Sequence, residues 1–287
     1  MKEKSLDCGF TMPYLGMGTW LMGGRDTRDP ADDGRASVEA LTRGLNAGYR
    51  HIDTAEMYAG GFSEEIVGEA VAGFKRESLF LTSKVWKTHL HYDDVLRAAE
   101  DSLRRLRTDY LDLYLIHQVN EDVPIRETMR AMNRLVDEKI IRWIGVSNFA
   151  VERFEQAQGW ADSKVAVNQV HYNLQVREVE KSGLLEYCQT HDVMLTAWRP
   201  LQKGMLAEEP PRCLMEVAQR YSLSPYQTAL SWLTSQKNVV TITKAADPDH
   251  LLENMQATEV ELASDALEYL RAEYPGQTDR SEAVPLR

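Results

Sequence analysis

Short apolar runs alternate with longer amphipathic stretches along almost the whole chain. The runs are residues 15–18, 49–52, 79–84, 110–116, 141–146, 165–170, 192–197 and 238–242. They are nearly free of polar residues and too short for helices, the pattern of parallel strands buried on both faces. The stretches between them carry helical periodicity over 36–47, 63–73, 92–107, 125–138, 150–158, 179–190, 212–235 and 248–256. Their ends are marked by Gly48 as a stop, by Ser63-Glu64-Glu65 as a start, and by a break at Pro225. The helix over 92–107 has Asp93 and Asp94 early and Arg104, Arg105 and Arg107 late, as the helix dipole prefers. Eight strand–helix units in series predict an α/β fold, a (β/α)8 TIM barrel, an architecture of about 250 residues. Residues 5–13 read as a small hairpin turning at Gly9, placed to plug the closed end. A last helix should reach Tyr274, and a loose tail should follow over 277–287, within one domain spanning 1–287.

Charge and cysteine content narrow the class. A net charge of −11 disfavours nucleic acid and anionic membranes as partners, so an anionic ligand would need a locally basic pocket. The three cysteines, Cys8, Cys188 and Cys213, are far apart and form no Cys-x-x-Cys pair, which fits a reducing cytosol. No apolar run follows Met1–Ser5, so no signal peptide is expected, and no stretch approaches the ~20 residues of a membrane span. The expected protein is cytoplasmic, a monomer or weak oligomer, acting on a small molecule.

Strand C-terminal ends converge on one mouth of such a barrel, where active sites are built. Asp53 follows the run ending at Ile52, Lys84 closes 79–84, His117 follows Ile116, and Tyr58 lies in the loop beyond Asp53. A phenol titrates near pH 10, so it is a poor acid at neutral pH. A lysine ammonium about 4 Å away would favour the phenolate by about 4 kcal/mol at an effective dielectric near 20. That is about three pKa units, and desolvation opposes it, so a smaller net lowering is expected. Asp53 would hold Lys84 charged, and His117 would hydrogen-bond a substrate oxygen. The arrangement can protonate an oxygen that gains charge, as carbonyl reduction demands.

The chain resembles the aldo-keto reductase family over nearly its whole length. The resemblance rests on Gly48–Ala55 (Gly-Tyr-Arg-His-Ile-Asp-Thr-Ala) with Tyr58, Ser83–Trp86, Leu115–His117, Gly145–Phe149, Asn168-Gln169 and Pro200-Leu201. It implies a barrel using NAD(P)H, with Asp53, Tyr58, Lys84 and His117 as catalytic residues and a small-molecule carbonyl substrate. The implied cofactor set is Gly18, Thr19, Asp53, Ser147, Asn148, Gln169, Trp198, Arg199, Leu201, Lys203, Lys244, Ala245, His250, Glu253 and Asn254. Ser147, Asn148 and Gln169 offer what a carboxamide needs, and Trp198 stands where the family usually has tyrosine to stack on nicotinamide. Lys244 and Asn254 fit the family's adenosine-phosphate motif, whereas Ala245 and His250 replace a usual serine and arginine. Lys244 and the amino end of the next helix should attract a 2′-phosphate, so NADPH is expected over NADH. Only an imidazolium at His250 attracts phosphate, so NADPH binding should weaken as pH rises through its titration.

Trp20 and Trp86, each just past a strand, should form an apolar wall beside Tyr58 and His117. Gln118 replaces a tryptophan frequent after the catalytic histidine, and a longer C-terminal loop of the family is missing. Both departures imply an open pocket for small or varied aldehydes, like the bacterial methylglyoxal-reductase branch. Two rivals stand beside this reading. One is a Schiff-base lyase using Lys84 as an amine nucleophile. The other is a non-catalytic cofactor-sensing binding protein, as potassium-channel beta subunits of this family resemble; the intact tetrad and short N-terminus argue against it. His89-Leu90-His91 lacks a third ligand nearby, so no metal site is expected.

Overall fold

The protein is described from a computed structural model covering residues 1–202, 209–244 and 246–287. Lys203 and Ala245, both expected at the cofactor site, lie outside the described residues. The hairpin strands β1 (Glu3–Ser5) and β2 (Thr11–Pro13) precede the barrel. Its strands are β3 (Leu15–Gly18), β4 (His51–Asp53), β5 (Phe80–Val85), β6 (Leu111–Ile116), β7 (Ile141–Ser147), β8 (Val165–His171), β9 (Met194–Trp198) and β10 (Val239–Thr243). They pair in parallel, each with its chain neighbour, and β10 closes onto β3. The (β/α)8 barrel is therefore present, with the hairpin at its base. Leu6, Phe10 and Met12 of the hairpin pack on Leu113, Val167, Met194 and Val240 and close that end.

Around the barrel lie α1 (Arg35–Ala47), α2 (Phe62–Val71), α3 (Tyr92–Leu106), α4 (Ile125–Asp137), α5 (Val151–Trp160), α6 (Glu178–Lys181), α7 (Leu184–Thr190), α8 (Arg212–Tyr221), α9 (Pro225–Thr234), α10 (Pro248–Ala257) and α11 (Ser264–Glu273). Several, among them α3, α4, α7 and α9, lie against strands, while α11 packs on α8. In α4 the buried residues Thr128, Ala131, Met132 and Leu135 recur at helical spacing. The helix expected over 179–190 is two helices, because Gly183 adopts the left-handed conformation (φ 77°) and ends the first. Among the described residues no helix is long and apolar enough to cross a membrane.

The tail over 277–287 is not loose. Thr278 bridges to Val176, the buried Ser281 takes the Glu178 carboxylate on its N–H, and Arg287 exchanges backbone bonds with Asn148 and Ala150. Tails are mobile unless tied down, and this one is tied to the mouth of the barrel by hydrogen bonds its sequence does not announce.

Inside the barrel, one pleat below the mouth, His51 is enclosed. Its Nε2 lies 3.1 Å from Thr82 Oγ1 and its Nδ1 has no partner. Burial, opposed by Asp53 and aided by Lys84, lowers its pKa to about 4. An unfolded histidine takes a proton near pH 6.5, so between there and pH 4 the unfolded state binds more protons. This contribution to stability is complete above pH 6.5 and is lost as the pH falls toward 4. The expected loss is about 1 kcal/mol per pH unit in that window, and in urea titrations His51→Gln should flatten the profile. An unchanged slope in that variant would count against the assignment.

Candidate active site

Strand stagger brings the candidate residues to one height. Asp53 pairs in register with Thr82, whereas Lys84 pairs with Leu115 and His117 follows β6, its N–H on Val85 O. Each step round the barrel climbs two residues because tilted strands are sheared past one another. Lys84 then reaches back, and its Nζ donates to Asp53 Oδ1 (2.5 Å), to Thr54 O (2.8 Å) and to Tyr58 Oη (3.2 Å). Asp53 and Lys84 are each only 1% exposed, whereas Tyr58 and His117 at 9% and 8% form the surface above them.

Tyr58 is aimed by an unusual turn. Ala59, Gly60 and Gly61 follow it with φ of 52°, 61° and 95°, and Ala59 N–H is pinned to Arg25 O at 2.7 Å. A left-handed alanine costs on the order of 1 kcal/mol, so the bond to Arg25 and the packing of the loop must hold it there. The Tyr58 ring meets Trp20 edge-on at 4.9 Å and His117 at 5.6 Å, and His117 meets Trp86 at 5.0 Å. The structure thus brings together all four candidate catalytic residues and both expected tryptophans.

The expected lowering of the tyrosine pKa is reversed. Burial raises it, and the pull of Lys84 is partly cancelled by Asp53, so the net shift is upward. Enclosure exceeds the ammonium's field because the ammonium's own counterion sits against it. Tyr58 is therefore a full phenol at neutral pH. For Lys84 burial favours the neutral amine, but Asp53 and Tyr58 together outweigh it and the pKa is raised. Burial and Lys84 hold His117 well below its ordinary range, so it is neutral. Its Nδ1 is enclosed without a partner. Because orphaned buried N–H groups are rarer than orphaned acceptors, the ring proton belongs on Nε2.

The carboxamide candidates form one network. Gln169 Nε2 donates to Asp53 Oδ2 (2.7 Å), Ser147 Oγ to Gln169 O (2.8 Å), Asn148 Nδ2 to Ser147 Oγ (2.9 Å), and Trp198 Nε1 to Asn148 Oδ1 (3.2 Å). An amide has two N–H and two lone pairs on oxygen, so Gln169 keeps an N–H and its Oε1, and Asn148 keeps a lone pair. These are a donor and acceptors, and a carboxamide fits them. Gly18 is the register partner of Asp53, and Thr19 N–H donates to Asp53 O at 3.0 Å. Arg199 lies beyond Trp198 with φ 54°, its guanidinium over the indole at 5.2 Å, while Leu201 packs partly buried against the core. Burial and the nearby Arg25 lower the Arg199 pKa, which reports two cations near one another at the mouth of an acidic protein.

The adenosine-phosphate candidates differ from expectation. Asp247 caps α10 with its own carboxylate, accepting from Asp249 N (2.9 Å) and His250 N (3.3 Å), and Pro248 has no N–H to offer. The amino end of that helix is already satisfied by an anion and is not free for a phosphate. Lys244 is exposed at its edge, near Asp32, and His250 and Glu253 are exposed on α10. Asn254 is buried near the Tyr49 phenol, whose hydroxyl donates to Leu251 O at 3.1 Å. His89 and His91 face two different glutamates, Glu56 and Glu127.

One residue at the mouth escaped the reading of the sequence. His171 ends β8, at the same end of its strand where Lys84 and His117 lie on or just past theirs, and its ring stacks on Trp198 at 4.2 Å and 11°. The same strand-end rule would have found it.

Residues 14–274 match the family model described as Aldo/keto reductase family. A methylglyoxal reductase of Escherichia coli is 39% identical over 272 residues, covering 92% of both chains. A glyoxal reductase of Bacillus subtilis is 36% identical, over 92% of this chain and 90% of that one. Among solved structures, a thermostable aldo-keto reductase in complex with the inhibitor epalrestat superposes with a TM-score of 0.90 at 44% identity, covering 95% and 99% of the two chains. A Klebsiella pneumoniae aldo/keto reductase in complex with NADP and acetate gives 0.84 at 36% identity over 98% of each. A match this long, in sequence and in the course of the barrel alike, means that the chain belongs to the aldo/keto reductase family of oxidoreductases.

Proposed function

We propose that the protein reduces small aldehydes to alcohols with NADPH, and that Tyr58 supplies the proton. The observation that carries this reading is the buried file Asp53–Lys84–Tyr58, with Lys84 Nζ 2.5 Å from one and 3.2 Å from the other. A bound nicotinamide supplies a hydride to the carbonyl carbon. The chain's own residues do the rest. Neutral His117 donates from Nε2 to the carbonyl oxygen and orients it. Tyr58, a phenol at neutral pH, passes its proton to that oxygen as charge builds there, and the phenolate left behind is stabilised by the Lys84 ammonium. Asp53 keeps Lys84 charged. Trp20 and Trp86 exclude water and leave room for a small carbonyl compound, in keeping with relatives named for methylglyoxal and glyoxal.

The lyase rival loses its nucleophile. All three ammonium hydrogens of Lys84 are engaged, the residue is 1% exposed and its pKa is raised, so a free amine is not on offer. The decisive experiment follows NADPH oxidation with methylglyoxal and a series of small aldehydes, alongside borohydride trapping. Turnover without trapped adduct is expected. Cofactor binding without turnover on any aldehyde would favour the binding-protein reading.

The Asp247 cap bears on cofactor choice. A carboxylate at the amino end of α10 offsets that helix end's attraction for a 2′-phosphate, so the preference for NADPH over NADH should be modest. Asp247→Ser keeps a cap but removes the charge, and a charge a few ångströms away in water is worth about 1 kcal/mol. The NADPH-to-NADH affinity ratio should therefore rise about fivefold. An unchanged ratio in calorimetric titrations would remove Asp247 from the phosphate site.

A further inference from the structure

Trp198 is held on two sides, and both supports lead to the same segment. His171 and Trp198 are register partners on adjacent parallel strands, and strands lie about 4.8 Å apart. Their rings are thus set face to face by the sheet itself, at 4.2 Å. At the edge of the indole, Nε1 donates to Asn148 Oδ1 at 3.2 Å.

The imidazole is fixed in turn from the tail. His171 Nδ1 lies 2.8 Å from Ser281 Oγ, and Nε2 lies 3.0 Å from Gln202 Oε1. Ser281 Oγ also accepts from the N–H of Ala283 (3.3 Å) and of Val284 (3.2 Å). With its lone pairs so used, the hydroxyl hydrogen goes to His171 Nδ1. The ring's Nε2 faces both Gln202 Oε1 and, at 3.4 Å, Asn173 Nδ2, which also donates to Gln202 Oε1 at 3.1 Å. The other support meets the tail at its last residue. Arg287 N donates to Asn148 O at 3.1 Å, and Ala150 N donates to Arg287 O at 2.8 Å. Asn148 holds a left-handed backbone, φ 61°, so its amide is aimed by these bonds rather than by ordinary strand geometry. Between the two anchors, Glu178 accepts from the N–H of Ser281 (2.9 Å) and of Leu286 (3.2 Å) and keeps the segment down.

We propose that His171 and the segment 278–287 form a clamp that positions the Trp198 indole as the platform for nicotinamide, so that residues touching neither substrate nor cofactor set the affinity of the nicotinamide end. This rests on the NADPH-dependent reading above. A side chain free to leave its binding rotamer reduces apparent affinity by the fraction of time it is misplaced, and losing an aromatic stack of this kind shifts such an equilibrium by up to about tenfold.

The test compares two probes by titration calorimetry on the full chain: NADPH, and adenosine 2′,5′-bisphosphate, which lacks the nicotinamide half. His171→Ala removes both the stack and the tail bond, and should weaken NADPH about tenfold while leaving the bisphosphate within about twofold. His171→Phe keeps a ring and so preserves packing, and should weaken NADPH by a smaller factor. Ser281→Ala cuts only the tail bond and should act in the same direction as His171→Phe. Unchanged NADPH affinity in His171→Ala and Ser281→Ala would overturn the clamp. So would equal losses for the two probes, since the segment would then be supporting the barrel as a whole. Failure of the unsubstituted protein to bind NADPH while binding the bisphosphate would strike at the reductase reading itself, and the clamp would fall with it.

Discussion

Tyr58→Phe should lower turnover of an aldehyde by about two to four orders of magnitude, the usual span for removing a positioned proton donor. NADPH affinity should change little, and the fold should be unaffected. The hydroxyl accepts from Lys84 Nζ, whose other two hydrogens stay engaged with Asp53 and Thr54. The phenyl ring retains its contacts with Trp20 and His117. The measurement is steady-state reduction of methylglyoxal together with cofactor binding by the same protein. Near-normal turnover with intact binding would mean that another group delivers the proton. The upward shift of the Tyr58 pKa sharpens this expectation. Deprotonation of the free enzyme should not limit the rate near neutral pH, so the profile of kcat/KM should be level there and fall only on the alkaline side.

Lys84→Met should do more damage, because it acts on stability as well as chemistry. Asp53 and Lys84 are each 1% exposed, and the ammonium is the carboxylate's closest counterion at 2.5 Å. Removing one partner of a buried pair leaves an uncompensated charge and costs about 3–5 kcal/mol. Urea unfolding should show that loss, and activity should fall to the level of Tyr58→Phe or below. The double variant Asp53→Asn with Lys84→Met removes both charges, and most of the stability should return. Activity should not return with it, since the phenolate would have no cation to stabilise it. That separation of stability from turnover distinguishes a catalytic ion pair from a structural one. If stability and turnover recovered together, the pair would be holding the barrel and the chemistry would lie elsewhere.

Comparing the residues with their places shows why some were readable and others were not. Asp53, Lys84 and His117 each follow or close a short apolar run, and a barrel delivers every such position to its mouth. His171 obeys the same rule but carries no motif that marks it. Tyr58 lies in a loop, where no periodicity points to it, and its resemblance to a family pattern identified it. Ser281 and Arg287 carry no local signal at all. They matter through partners at Glu178, His171 and Asn148, and bonds of that range follow from packing. Lys244 and Asn254 read as equals in the chain, yet one is at the surface and the other is against Tyr49 in the interior.

By itself the sequence determined the architecture and the inventory of the mouth. Eight apolar runs of strand length, separated by amphipathic helices, can bury their surfaces in few ways other than a closed parallel barrel. The tertiary structure alone decided the electrostatics. Whether the tyrosine is pulled toward phenolate or held as phenol depends on how completely it is enclosed and on where the lysine's counterion sits. Whether a helix end is open to phosphate depends on the rotamer of one aspartate. These are differences between large opposing terms set over a few ångströms, and residue order does not specify separations on that scale until the barrel has closed.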